Sequence, residues 1–453
     1  MGRSQIAIIG SGVAGISSAI KLSDSGERVE IYEARKEIGG RFFSFEENDV
    51  KEVIDNGQHV MAGAYDYFFG MLEKLGTMDN LYMPSALVVN FYSKDGKRDK
   101  LDTSFLKGRA GMLLGLWRMR NISIGSKLRI MRFFLRLGFA LVNSRGLTAL
   151  ELLQEEKQGA EAMYWFWEPL ILATLNLSSQ IASAEVFLQV LKRAFFSSKG
   201  RARLIFSTVP FGELLAPFKS WIEKSQVSLH LNASVSKIII EDFWAKYILL
   251  NNGERIDVKA IITTVQPYQL LRIIDEKAIG EKMAEKLRAI DYSSIISVYY
   301  WLDRDIIDED YVALLGTVPQ WVFNISKIYS KRKDFRVEDN LRKIAVTISG
   351  ADEIWELPNE KISEQCWEEI CGTLPKAKEA KLLRSKVLRE RKATIKANRA
   401  IEEIRAELED FPIKNLIVAG DWTTTGLPAT LESAAMSGYF AGVKMLDFLS
   451  KKK

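Results

Sequence analysis

The feature that most constrains this chain lies at its N-terminus. Four apolar residues, Ile6-Ala7-Ile8-Ile9, run directly into Gly10-Ser11-Gly12-Val13-Ala14-Gly15, after which small residues such as Ser18 and Ala19 recur at helical spacing. Strand, glycine turn and helix in that order predict a βαβ unit built to hold a pyrophosphate. Gly10 allows the tight turn, Gly12 lets backbone approach the phosphates, and Gly15 lets helix and strand pack closely. The unpaired N–H groups of the helix start, at Val13 and Ala14, face the anion. Glu33 ends the second strand, with Ala34 after it. An acid there suits ribose hydroxyls and disfavours a 2′-phosphate.

Two further segments select FAD over NAD. Gly39-Gly40-Arg41 places a fixed cation one loop beyond the ribose site, where it offsets pyrophosphate charge. Near the other end, Leu416-Ile417-Val418-Ala419 runs into Gly420-Asp421 and through Gly426-Leu427-Pro428-Ala429-Thr430 into a helix of small residues. Asp421 suits ribitol hydroxyls, and a helix starting at Thr430 and Leu431 directs its positive end at the flavin's pyrimidine edge.

These motifs resemble the flavin amine oxidase and phytoene desaturase superfamily over almost the whole chain. Narrower runs resemble one branch of it, the squalene-associated hydroxysqualene dehydroxylases. They are Ser44-Phe45, Asp55-Asn56-Gly57-Gln58-His59, Trp167-Glu168-Pro169-Leu170, Leu175-Asn176, Gly420-Asp421-Trp422 and the run from Gly426 to Glu432. The resemblance implies an α/β fold: a Rossmann-like FAD-binding domain, discontinuous at about 1–75, 225–275 and 400–453. Into it is inserted a substrate domain of mixed sheet and helix at about 76–224 and 276–399. It also implies that Gly57 and Gln58 lie along the isoalloxazine and that the Val235 backbone faces the adenine. The implied reaction is reduction of hydroxysqualene to squalene by flavin hydride in hopanoid biosynthesis. The same scaffold also serves polyisoprenoid desaturation and amine oxidation, and a non-catalytic flavoprotein scaffold at the membrane is the reading from another class.

Pattern adds local expectations. The stretch 76–224 reads as mostly helical, Asn252-Gly253 as a hairpin turn, Ile295–Leu302 and Ile344–Ile348 as strands, and the segments between and after these two as helices. For a proton donor the candidates are His59, Glu168 beside Trp165 and Trp167, and Glu432; only one other histidine, His230, is present. The cysteines, Cys366 and Cys371, carry no metal or disulfide spacing, and no metal site is expected. No cysteine near Gly420-Asp421 offers a covalent flavin link, and no second GxGxxG offers a nicotinamide site, so the electron donor is unidentified.

Net charge is only +5, yet 105–146 holds nine lysines and arginines and no acid, amid many apolar residues. Arg129, Arg132 and Arg136 share a helical face, with Ile130, Phe133, Phe134 and Leu137 turned away. A basic amphipathic helix of this kind suits an anionic membrane surface, which is where a polyisoprenoid resides. Without a nucleic-acid motif the charge does not point to nucleic acid. The first strand starts at once, with no signal peptide, and no apolar run spans a bilayer. The expectation is therefore a cytoplasmic protein, peripheral to the inner face of the membrane.

Overall fold

The computed structural model describes residues 5–47, 51–106, 108–195, 202–333 and 342–451. Lys107, one of the nine basic residues, lies outside them. The first apolar run forms the strand Gln5–Ile9, flanked in parallel by Val29–Tyr32 and Arg255–Thr263. Val227–His230 adds beyond the former and Leu416–Val418 beyond the latter, both parallel. Ile6, Ile8, Ile31 and Ile262 are buried, as strands covered on both faces require. Three distant stretches of chain thus build one sheet. The predicted turn at Asn252-Gly253 closes a hairpin between Trp244–Leu250 and Arg255–Thr263.

Over this sheet the C-terminal helix Leu431–Ser450 crosses the helix Val13–Ser23 at very short range. Ser17 Oγ donates to the Ala435 carbonyl at 2.7 Å, and Ser18 Oγ donates to the Gly438 carbonyl at 2.9 Å. A methyl group on Gly438 would sit 2.1 Å from the Ala14 carbonyl oxygen, so only glycine permits this approach. The small-residue pattern of both helices is therefore a packing requirement that ties the two ends of the chain together.

A second sheet of seven strands lies beside the first, in the order Leu382–Ile395, Tyr292–Leu302, Arg342–Ser349, Trp321–Asn324, Tyr311–Leu315, Val88–Ser93, Arg98–Asp102. The two strands read from sequence pair antiparallel, Val298 opposite Val346. Val298, Tyr300, Val322 and Ile344 fill one face with Ile362, Cys366 and Ile370 of the helix Asn359–Thr373. Cys366 and Cys371 are free thiols. The opposite face, with Tyr299, Trp301 and Phe323, joins the largest core.

Three expectations change. The stretch 76–224 contributes the hairpin Val88–Ser93/Arg98–Asp102 to this sheet as well as helices. Leu382–Ile395 is a fourteen-residue edge strand where helix was expected. Its lysines and arginines imitate a helical surface, but they guard an edge that pairs on one side only. Finally, Ile130, Phe133, Phe134 and Leu137 do turn away from the arginines, but into the core. Phe133 and Phe134 pack on Trp167, with ring centroids 5.3 and 5.8 Å away. They cannot be the residues that meet a membrane.

Candidate cofactor and active site

The glycine turn forms as the sequence requires. The helix Val13–Ser23 has no side-chain cap at Gly12 and no acid in its first turn. Its first internal bond runs from the Ile16 N–H to the Gly12 carbonyl. The N–H groups at Val13, Ala14 and Gly15 therefore have no partner within the helix. Gly12 and Gly39 form a bridge, and a methyl on Gly40 would lie 3.2 Å from the Gly12 Cα. The cradle is thus built of backbone against backbone.

Glu33 sits at the strand end, buried. One carboxylate oxygen accepts from Ser11 N–H and Ser11 Oγ, both at 2.8 Å, and the other accepts from the Arg35 N–H at 2.9 Å. Three donors fix its orientation at the mouth of the turn. Ala34 beside it is exposed. The Ala233 N–H donates to the Glu33 carbonyl, which brings Val235 within two residues of the same spot.

Arg41 and Asp421, drawn from opposite ends of the sequence, meet directly. The guanidinium spans both Asp421 oxygens at 2.7 Å and donates to the Ala393 carbonyl of the second sheet at 2.7 Å. Arg41 is therefore a three-way clasp as well as a cation. Around this clasp two buried polar atoms, Gln266 Oε1 and the Tyr292 hydroxyl, have no hydrogen-bond partner among the described residues. Gln266 Nε2 donates to Asp421 at 3.4 Å. A backbone cradle closed to side chains, an oriented acid and unsatisfied polar atoms between them fit the pyrophosphate, ribose and ribitol of FAD. Gln266 and Tyr292 escaped the sequence reading. Gln266 follows the end of a parallel strand, the usual ligand edge of such a sheet; Tyr292 carries no such signal.

The loop Asp55–His59 lies against the second sheet. A methyl on Gly57 would sit 2.8 Å from Ser297 Oγ. His59 Nδ1 donates to the Gly57 carbonyl at 3.1 Å, and its ring is edge-on to Phe42 and Phe211. Burial, aided by Arg41, lowers its pKa from 6.5 to about 4. His59 is thus neutral at physiological pH, held by burial as an imidazole whose Nδ1 proton is already given to the Gly57 carbonyl. For Gln58 no side-chain contact decides a role.

Glu168 and Glu432 are also committed elsewhere. Glu168 accepts from the Ser179 N–H at 3.1 Å, closing the turn after its own helix. Glu432, 1% exposed, accepts from the N–H groups of Asp66, Tyr67 and Phe68, each at 3.0 Å. It caps the helix Asp66–Leu75, whose own N-cap residue, Tyr65, makes no side-chain cap bond. Thr430 caps its own helix by accepting from the Ser433 N–H at 3.1 Å, and Leu431 begins that helix.

Burial raises the proton affinity of Glu432 and also that of Asp55, 3% exposed. Asp55 accepts from Ser44 Oγ at 2.6 Å, from the Phe211 N–H at 2.8 Å and from the Tyr329 hydroxyl at 3.4 Å. Burial outweighs these bonds and raises its pKa from 3.8 to about 6. The sequence held it in plain view within the Asp55–His59 run, but burial is not written there.

Asp55 and His59 pull stability in opposite directions with pH. A raised carboxyl pKa favours the fold fully below pH 3.8, and that contribution is lost as pH rises through 6. A lowered histidine pKa favours the fold above pH 6.5, and that is lost as pH falls towards 4. Each is worth on the order of 3 kcal/mol, so they nearly cancel. Asp55→Asn removes one of them. The variant's stability, followed by thermal unfolding of the holoprotein, should fall by roughly that amount from pH 6.5 to 4 relative to the unmutated chain. Parallel curves would contradict the assignment.

Fold and site together define an FAD-dependent oxidoreductase with a dinucleotide-binding sheet and a second sheet of seven strands. The profile of the flavin containing amine oxidoreductases matches residues 13–446, and the chain belongs to that family. It is 25% identical over 450 residues to the hydroxysqualene dehydroxylase of Sinorhizobium fredii, covering 95% of each. It is 23% identical to the 15-cis-phytoene desaturase of Glycine max, covering 96% of this chain and 78% of that one. Putrescine oxidase bound to putrescine shares its fold, with a TM-score of 0.73 over 98% of this chain and 99% of the other at 15% identity. The enzyme is therefore a flavin oxidoreductase of the amine oxidase and phytoene desaturase superfamily.

Proposed function

We infer that the enzyme reduces hydroxysqualene to squalene, a step of hopanoid biosynthesis. The observation that carries this reading is the end-to-end match to a hydroxysqualene dehydroxylase, 95% of both chains, whereas the phytoene desaturase extends well beyond this chain. FAD, when bound and reduced, supplies the hydride. The carbon gains that hydride, the C–O bond breaks, and one proton joins the departing hydroxyl to give water.

The chain's part is to bind and orient. The N–H groups of Gly12, Val13, Ala14 and Gly15 receive the pyrophosphate, Glu33 and Ala34 the ribose, and the Val235 backbone the adenine. Gly40 lets the turn close, Arg41 holds Asp421, and Gly420-Asp421 receives the ribitol. Thr430 and Leu431 open a helix towards the pyrimidine edge, and Gly57 and Gln58 lie along the ring. Electrons come from an external donor. Among the described residues no helix is long and apolar enough to cross a membrane. The enzyme works at the inner face of the bilayer that stores its substrate.

A substrate panel tests this. Reduced holoenzyme given detergent-dispersed hydroxysqualene should yield squalene on extraction, and oxidised holoenzyme should be unchanged by phytoene or putrescine. Bleaching by phytoene, with no squalene formed from hydroxysqualene, would move the enzyme to the desaturases. Bleaching by an amine would move it to the amine oxidases.

A further inference from the structure

The helix Ile124–Gly138 is apolar on two sides. Its inward side packs on Trp167, as described. On the outward side Ile124, Leu128, Leu135 and Phe139 are 64%, 54%, 63% and 75% exposed. At 100° per residue these four align in one stripe, with Lys127 on one flank and Arg132 on the other. A helix with a second apolar stripe has a second partner.

The stripe is part of a continuous surface. Lys127 lies over the Trp117 ring at 5.9 Å, and Arg118 over the Phe105 ring at 4.1 Å. At the other end Arg136 donates to the Leu141 carbonyl at 2.9 Å. Trp117, Phe105 and Leu141 are all exposed. Among the described residues, eight of the seventeen exposed large apolar side chains fall in 105–146, less than a tenth of the chain. Such clustering is not the scatter of an ordinary surface. No aspartate or glutamate lies in that segment.

We propose that this surface docks on an anionic phospholipid bilayer, with the Ile124–Phe139 stripe below the phosphates and Lys127 and Arg132 at their level. The side chains protrude from a convex helix rather than line a groove, which suits a fluid apolar phase. A second copy of the chain is the poorer occupant, because a two-fold interface would set basic flank against basic flank. The docking residues thus differ from the face expected from sequence, whose apolar members are buried. That docking serves substrate uptake rests on the polyisoprenoid reading above; the docking itself does not.

Flotation of the holoenzyme with vesicles tests it. Binding to phosphatidylcholine vesicles containing phosphatidylglycerol should exceed binding to phosphatidylcholine alone and weaken in high salt. The triple variant Leu128→Ser, Leu135→Ser, Phe139→Ser should lose at least about tenfold in binding. Its flavin absorbance and its turnover of detergent-dispersed hydroxysqualene should be unchanged. Should the triple variant fold poorly, the single exposed change Leu135→Glu keeps the test, with weaker vesicle binding expected. Wild-type-like vesicle binding by the variants overturns the proposal. So does a holoenzyme dimer in solution that the same substitutions dissociate, since the surface then belongs to a second copy. Loss of vesicle binding with no squalene formed by either protein leaves docking intact and rejects only the dehydroxylase reading.

Discussion

Glu432→Ala should destabilise the enzyme by about 3–5 kcal/mol and release much of its flavin. The carboxylate is 1% exposed and receives three backbone N–H groups at 3.0 Å, with Arg193 at 3.7 Å. Alanine removes the acceptor from all three N–H groups, that of Phe68 fully buried, and opens a void at the start of two helices. Glu432→Gln keeps an acceptor oxygen and should cost much less, about 1–2 kcal/mol. Chemical unfolding and the flavin-to-protein ratio check both. The pair also separates two roles for this residue. A proton donor would lose turnover as glutamine while keeping its stability; a cap loses stability as alanine and keeps turnover as glutamine.

Gly438→Ala should cost about 3 kcal/mol or more, a large effect for one methyl group. That methyl would stand 2.1 Å from the Ala14 carbonyl oxygen, which belongs to helix backbone and cannot swing aside. The helices Val13–Ser23 and Leu431–Ser450 must separate, and with them the glycine cradle and the Gly420-Asp421 segment. Weakened FAD retention should therefore accompany the lost stability, measured by titrating FAD into deflavinated protein. Unchanged retention and melting would show that the two ends of the chain do not need this contact.

The sequence made the cofactor end of the molecule legible because its constraints are local. A strand, three glycines and an acid at fixed spacing describe one turn, and Asn252-Gly253 describes another. The catalytic side was less legible because its constraints are tertiary. His59 and Glu432 have acid–base chemistry that sequence displays, whereas their burial and the N–H groups brought to Glu432 from residues 66–68 come only with the fold. The Arg41–Asp421 clasp joins residues 380 positions apart, so no local pattern announces it. Leu382–Ile395 shows the converse failure, a local charge pattern overruled by its pairing with Tyr292–Leu302. Helix 124–138 was half legible. Its inward face followed the period, but with apolar residues on both sides the sequence could not say which would be covered.

Whether this flavoprotein spends its reducing equivalents on a lipid alcohol, as we propose, is decided by one anaerobic measurement. The holoenzyme is reduced, mixed with a limiting amount of detergent-dispersed hydroxysqualene, and followed by flavin absorbance while the lipid is extracted and quantified. Oxidised flavin and squalene should appear in equal amounts. Flavin that stays reduced while hydroxysqualene is recovered intact would contradict it.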